Sequence, residues 1–114
     1  MQFSVEEKKG VKILKLNEKR LDTEVAPHLK AELIILLSKE PFRIIIDLSE
    51  VEYADSSGLG ALLLGLRQAR EKESGLVLLN IQKRIKDLIH IARLENVLMV
   101  FEDEQEAIES FYQS

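Results

Sequence analysis

The chain has no cysteine, only two histidines among its 114 residues, no excess of basic charge and no long apolar run. Each absence closes a class of function. Without cysteine there are no disulfides, no thiolate zinc site and no thiol nucleophile, so stability has to come from packing. His28 and His90 are a poor metal set, and each reads as an ordinary helix residue rather than a catalytic base. Lys and Arg together number 16 against 20 Asp and Glu, a net charge of -4, which lacks the positive field that nucleic acid requires. The apolar runs fall far short of the roughly 20 residues of a membrane span. The opening "MQFSVEEKKG" also lacks the basic-then-apolar order of a signal peptide. A cytoplasmic protein is expected, with no nucleic-acid partner, no metal and no cofactor.

What is present suits one small domain. With 46% hydrophobic content, a chain of this length builds a single core, and residues 1–114 are expected to form one domain. Phe3 to Lys8 and Val11 to Leu16 alternate around Gly10, which predicts a hairpin with one buried face. Asp22 and Thr23 are helix-start residues. Val25, Leu29, Leu33 and Leu36 or Leu37 then follow at helical spacing up to Pro41, with Pro27 tolerated only in the first turn. "FRIIIDL" is a continuous β-branched run, the pattern of a central strand covered on both faces. After it come a helix in "SSGLGALLLGLRQ", a strand in "GLVLLN", a helix over Lys83 to Ala92, a strand in "VLMVF" and a closing helix over Glu104 to Tyr112. Strand alternating with helix implies α/β, a parallel sheet after the opening hairpin. The acidic stretch "EDEQEAIES" reads as the solvated face of the last helix, with Ala107, Ile108 and Phe111 inward.

The chemistry, if any, lies in "ADSSGLGALLLG". The dinucleotide fingerprint fails there, because counting from Gly58 the sixth place is Leu63. A phosphate-cradling loop fails too, since Gly65 is followed by Leu66. A nucleophile elbow centred on Ser56 would need glycine where Ala54 stands, and neither histidine supplies a partner base. Asp47 ends a strand as a receiver-domain aspartate does, yet the acidic pair expected after the first strand is missing. No full set of nucleophile, base and oxyanion donor can be drawn, so the protein is not expected to be an enzyme. What survives is a pair of serines at a helix start. One reading is mechanical, a cap for unpartnered amides. The other is chemical, a hydroxyl at the positive helix end placed to accept a phosphoryl group. Leu59, Leu62, Leu63 and Leu66 read as core anchors.

"DSSGLG", preceded by "IIIDLSEVEYA" and followed by "LLLG", resembles the STAS domain of bacterial anti-sigma factor antagonists. Leu21, Asp22, Ala26 and Leu29 are similar to that family's Leu-Asp-x-x-x-Ala-x-x-Leu signature. The closing order of helix, short strand and final helix is also similar. The resemblance implies a mixed, mostly parallel sheet with an N-terminal antiparallel hairpin and about four helices packed against it. It implies that Ser56 is phosphorylated by an ATP-binding serine kinase that is also the anti-sigma factor, and that a serine phosphatase resets it. Unphosphorylated protein would bind the kinase and free the sigma factor. Asp22, Asp55, Ser56, Ser57, Gly58 and Gly60 would form the partner-binding face.

Physical chemistry makes such a switch reasonable. Phosphate adds roughly -1.5 to -2 charge. At Ser56 it is expected to meet free amides at the helix start, so the fold should tolerate it while a partner fitted to a small hydroxyl beside Asp55 should not. Gly58 and Gly60 are expected to keep side chains away from the hydroxyl and to let a partner come close. Ser57 is expected to support the first turn. Two departures from the family pattern stand out. "LNEKRLD" lacks the glycine expected before Leu-Asp and is one residue longer, and Ala54 stands where methionine is usual. The resemblance also allows a scaffold that is never phosphorylated, such as a partner subunit of a lipid-transport ATPase.

Overall fold

Lys9 and Gly10 both take positive φ, 51° and 75°, the two-residue turn whose twist suits a hairpin. In the computed structural model, which describes residues 1–113, they join β1 (Phe3–Lys8) to β2 (Val11–Leu16) in antiparallel register from Phe3 opposite Leu16 to Lys8 opposite Val11. The chain continues through β3 (Arg20–Leu21), α1 (Ala26–Leu36), β4 (Ile44–Asp47), β5 (Tyr53–Ala54) and α2 (Ser56–Glu71). It closes with β6 (Leu76–Leu79), α3 (Lys83–Ile91), β7 (Val100–Phe101) and α4 (Glu104–Ser110). The main sheet runs β1-β2-β4-β6-β7, and every pairing after the hairpin is parallel. This is the expected α/β architecture with four helices.

The apolar runs are explained by burial on two sides. Leu14, Leu16, Ile44, Ile46, Leu76 and Leu78 face α1, α2 and α3, in one cluster with Leu29, Leu33, Leu62, Leu66, Ile85 and Ile89. Val11, Ile13, Ile45, Val77 and Leu79 point to the other side, against Ala107 and Ile108 of α4. Strand β4 therefore needs an apolar residue at each successive position, which removes the alternation of a one-faced strand. Helices α1 and α2 meet closely at Gly65, where a methyl group would lie 2.7 Å from Leu33 and 2.9 Å from Leu76. Lys12 Nζ donates to the Leu36 and Lys39 carbonyls, at 2.5 and 2.6 Å, and so closes the C-terminal end of α1.

Several sequence expectations are corrected. Strand β1 is exposed at every residue: Phe3 and Val5 share a face with Leu16 and Leu14 but stand at the sheet edge, 37% and 40% exposed. Helix α1 begins at Ala26 rather than Asp22, because Asp22 to Val25 form a separate turn closed by Ala26 N–H donating to the Asp22 carbonyl at 2.8 Å. Pro27 then falls in the first turn of α1, where its missing N–H is harmless. "VLMVF" yields only the two residues of β7, since Val97 and Leu98 donate back to Leu94 and complete a turn. Helix α4 ends at Ser110, two residues short of Tyr112. The short parallel pair of β3 and β5, which forms a second sheet, was not foreseen.

Candidate functional site

Asp55 leaves β5 with extended backbone and becomes the N-cap of α2, the role its residue type favours. Its Oδ1 accepts from Ser57 N at 3.0 Å, Gly58 N at 3.2 Å and Ser57 Oγ at 2.5 Å. The Asp55 carbonyl takes the fourth amide, Leu59 N, at 3.1 Å. The Ser57 hydroxyl, and after it the Gly58 and Ser57 amides, hold the Asp55 carboxyl below the usual carboxylate range against partial desolvation. Ser56, between these groups, is exposed. The two serines thus differ in duty: Ser57 fixes the cap carboxylate and is half-buried, while Ser56 faces solvent.

The expectation that a phosphate on Ser56 would find several free amides is corrected. Three amides of the first turn are already taken by Asp55, and Ser56 N is the one left over among the described residues. An added phosphate at this helix start would compete with a resident carboxylate.

The pairing of β3 with β5 draws Asp22 to this site. Arg20 stands opposite Tyr53 and Leu21 opposite Ala54, so Asp22 and Asp55 are the next residues on adjoining strands. Asp55 N–H donates to the Leu21 carbonyl at 3.3 Å. Gly58 lies on that same carbonyl: a methyl there would overlap the Leu21 oxygen and come within 2.8 Å of Leu21 Cγ. Gly58 is therefore required by the fold and is buried, contrary to its expected role of opening space for a partner. At Gly60 there is open space instead, since a methyl on it meets nothing within 4 Å. Leu59, Leu62 and Leu66 are buried as expected, whereas Leu63 is only half-buried.

Asp22 caps its own turn, with Oδ1 accepting from Glu24 N at 3.1 Å and Val25 N at 3.3 Å. Its carboxyl is pulled two ways. Partial desolvation raises its pKa, while those two amides and Arg20 outweigh it and leave the net shift downward. Arg20 Nε donates to Asp22 Oδ2 at 3.2 Å, and its guanidinium lies 4.2 Å from the centre of the Tyr53 ring. Arg20 and Tyr53 were missed as site residues because two-residue strands are too short to show periodicity. The adjacency of Arg20 to the Leu21–Asp22 pair was the available signal. The longer "LNEKRLD" loop holds β3, and its Lys19 carbonyl accepts from Glu52 N at 2.8 Å and Tyr53 N at 3.1 Å. His90 bonds Glu95 at 3.1 Å on the surface, and Asp47 Oδ1 caps its own turn by accepting from Ser49 N at 2.9 Å.

The site therefore offers an exposed hydroxyl flanked by two fixed carboxylates, at the carboxyl end of the parallel strands. Known proteins resemble this chain in sequence and in fold. Over 80 residues, 70% of each chain, the sequence is 34% identical to the anti-sigma-B factor antagonist of Listeria monocytogenes serovar 1/2a. A crystal structure from Thermotoga maritima, provisionally assigned as an anti-sigma factor antagonist, superposes with TM-score 0.90 at 24% identity, covering 97% of this chain and 95% of that one. The phosphorylated form of the Bacillus cell fate determinant SpoIIAA superposes with TM-score 0.71 at 22% identity, covering 96% of this chain and 98% of that one. At those two identities the likeness is one of fold. Residues 2–107 match the STAS domain, and the chain belongs to the STAS domain family.

Proposed function

We propose that this protein is an anti-sigma factor antagonist that switches partners through phosphorylation of Ser56. The observation that carries the reading is the exposed Ser56 hydroxyl on a first turn that Asp55 and Ser57 complete without it. In the unphosphorylated state the site binds an anti-sigma serine kinase and the sigma factor is released. The Ser56 oxygen then attacks the γ-phosphorus of ATP held by that kinase. The bond to the bridging oxygen breaks, ADP leaves, and the serine proton passes to a base of the kinase. A serine phosphatase restores the hydroxyl by hydrolysis. This chain supplies the substrate hydroxyl and the docking face, and the catalytic groups belong to its partners in the cytoplasm.

The charge balance explains why the modification acts on binding rather than on folding. Phosphate brings roughly -1.5 to -2 charge to a place already bearing the Asp55 carboxylate, so a partner docked there meets repulsion and an unmatched dianion. Each tenfold loss of affinity needs only about 1.4 kcal/mol. Ser56 itself is exposed and belongs to neither core cluster. The relative from Listeria, named an anti-sigma-B factor antagonist, supports this class of function.

The test is intact-mass analysis after incubation with the anti-sigma kinase and ATP, together with calorimetric titration. The parent and Ser57→Ala are expected to gain one phosphate. Ser56→Ala is expected to gain none, to bind the kinase and to resist release by ATP. Equal affinities for parent, Ser56→Ala and Ser56→Asp, with no mass gain on Ser56, would replace the switch with an unphosphorylated scaffold.

A further inference from the structure

Helix α2 carries a partly exposed face that runs on from Ser56. Gly60, Leu63 or Leu64, and Arg67 follow it at spacings of four, seven or eight, and eleven residues, which keeps them on one side of the helix. Gly60, Leu63, Leu64 and Arg67 meet Lys30 of α1 around an open groove of about 210 Å³. Gly60 leaves the floor clear, and Leu63 and Leu64 are half-buried. One turn beyond Lys30, Ile34 is 53% exposed although it sits on a helix whose other face is core. The charge here opposes that of the whole molecule. Both charged residues of the groove, Lys30 and Arg67, are basic and exposed, whereas the chain carries -4. Between Ser56 and Arg70, helix α2 has no acidic residue at all.

We infer that the α1–α2 groove is the docking track for an amphipathic helix of the anti-sigma kinase, with an apolar stripe over Leu63, Leu64 and Ile34 and carboxylates facing Lys30 and Arg67. This rests on the partner-switch reading and adds the chemistry of the partner's contact segment. A helix laid in a groove uses apolar anchors at helical spacing. Flanking opposite charges steer its approach and fix its register, mainly by raising the association rate. The groove opens at Gly60, one turn along α2 from Ser56, so a phosphate on Ser56 sets new negative charge at the end of the track, beside the Asp55 carboxylate. Attraction along the groove and repulsion at its end make release sensitive to one group.

The experiment measures association and dissociation rates with the purified anti-sigma kinase at several salt concentrations, alongside phosphorylation of Ser56. Lys30→Glu/Arg67→Glu is expected to slow association about tenfold or more and to flatten its salt dependence, with Lys30→Gln/Arg67→Gln intermediate. Ile34→Asp is expected to speed dissociation about tenfold. Arg70→Glu, half that charge change but on the same helix outside the groove, is expected to behave as the parent. Urea midpoints equal to the parent's are expected for all four, since the altered side chains are exposed. If the parent binds and is phosphorylated while the groove variants match it, the inference falls and the switch stands. If Arg70→Glu is as slow as the groove pair, net charge explains the effect and the inference falls. If the parent neither binds nor gains phosphate, both readings fall.

Discussion

Two glycines, two residues apart, serve different masters. Gly58 lies on the Leu21 carbonyl, and Gly60 has open space above it. Gly58→Ala is therefore expected to destabilise by about 1–3 kcal/mol, the usual range for overpacking. Gly60→Ala is expected to raise stability by up to about 1 kcal/mol, since alanine is the better helix former. It should nonetheless weaken kinase binding by setting a methyl on the groove floor. Chemical denaturation and titration of the same two proteins separate these outcomes, and a Gly60→Ala variant that loses stability would contradict the open geometry. Asp55 adds a pH dependence. Its folded-state pKa is depressed, so its capping contribution is complete above the unfolded value of about 3.9 and is lost as pH falls through the folded value. Asp55→Asn can still cap but has no such titration. Its stability deficit against the parent is expected to narrow between about pH 5 and about pH 2 in urea unfolding series.

At the scale of elements, two contacts hold the site's helices in place. Lys12 reaches across from β2 to the Leu36 carbonyl that ends α1 and to the Lys39 carbonyl just beyond it, and burial lowers its ammonium pKa, as expected for a group drawn out of water. Lys12→Met keeps the stem but removes the donors, and is expected to cost about 1.5–3 kcal/mol, the range for charged hydrogen bonds. Faster amide exchange at the C-terminal turn of α1 would accompany it. Gly65 sets the distance between α1 and α2, and with it the width of the groove. How legible the elements were depended on their length. Helix α2 and strands β2, β4 and β6 carry strong periodicity or continuous apolar runs, and all were readable. Strands β3 and β5 are two residues each and are defined by pairing with one another, which no local pattern encodes. The exposure of β1 was equally hidden, because "FSVEEK" alternates as a half-buried strand does and only its edge position leaves Phe3 and Val5 in solvent.

For the molecule as a whole, the sheet separates a large core under α1, α2 and α3 from a small one under α4. The two share the backbone of β2, β4 and β6, so they are expected to unfold together. Ile45, fully buried on the α4 side, tests this. Ile45→Ala is expected to lose about 2–5 kcal/mol in one transition, with circular dichroism and tyrosine fluorescence giving the same midpoint. An early, separate fluorescence change would show that the α4 side melts alone. Ser56→Asp touches neither core, and its thermal midpoint is expected to stay near the parent's while kinase binding falls.

Sequence alone determined the α/β class, the hairpin, the order of helices and strands, and the serine pair at the head of α2. Each of these depends on interactions within a few residues: turn chemistry at Lys9 and Gly10, capping by Asp55, and apolar spacing along α2. Tertiary structure decided what those residues mean for one another. Parallel pairing of β3 with β5 set Asp22 beside Asp55 across more than 30 residues of chain. The same pairing placed the Leu21 carbonyl against Gly58, and helix packing turned Lys30 and Arg67 into the two walls of one groove. Such contacts follow from how strands and helices close over a shared core, a long-range balance that leaves no trace in the spacing of neighbouring residues.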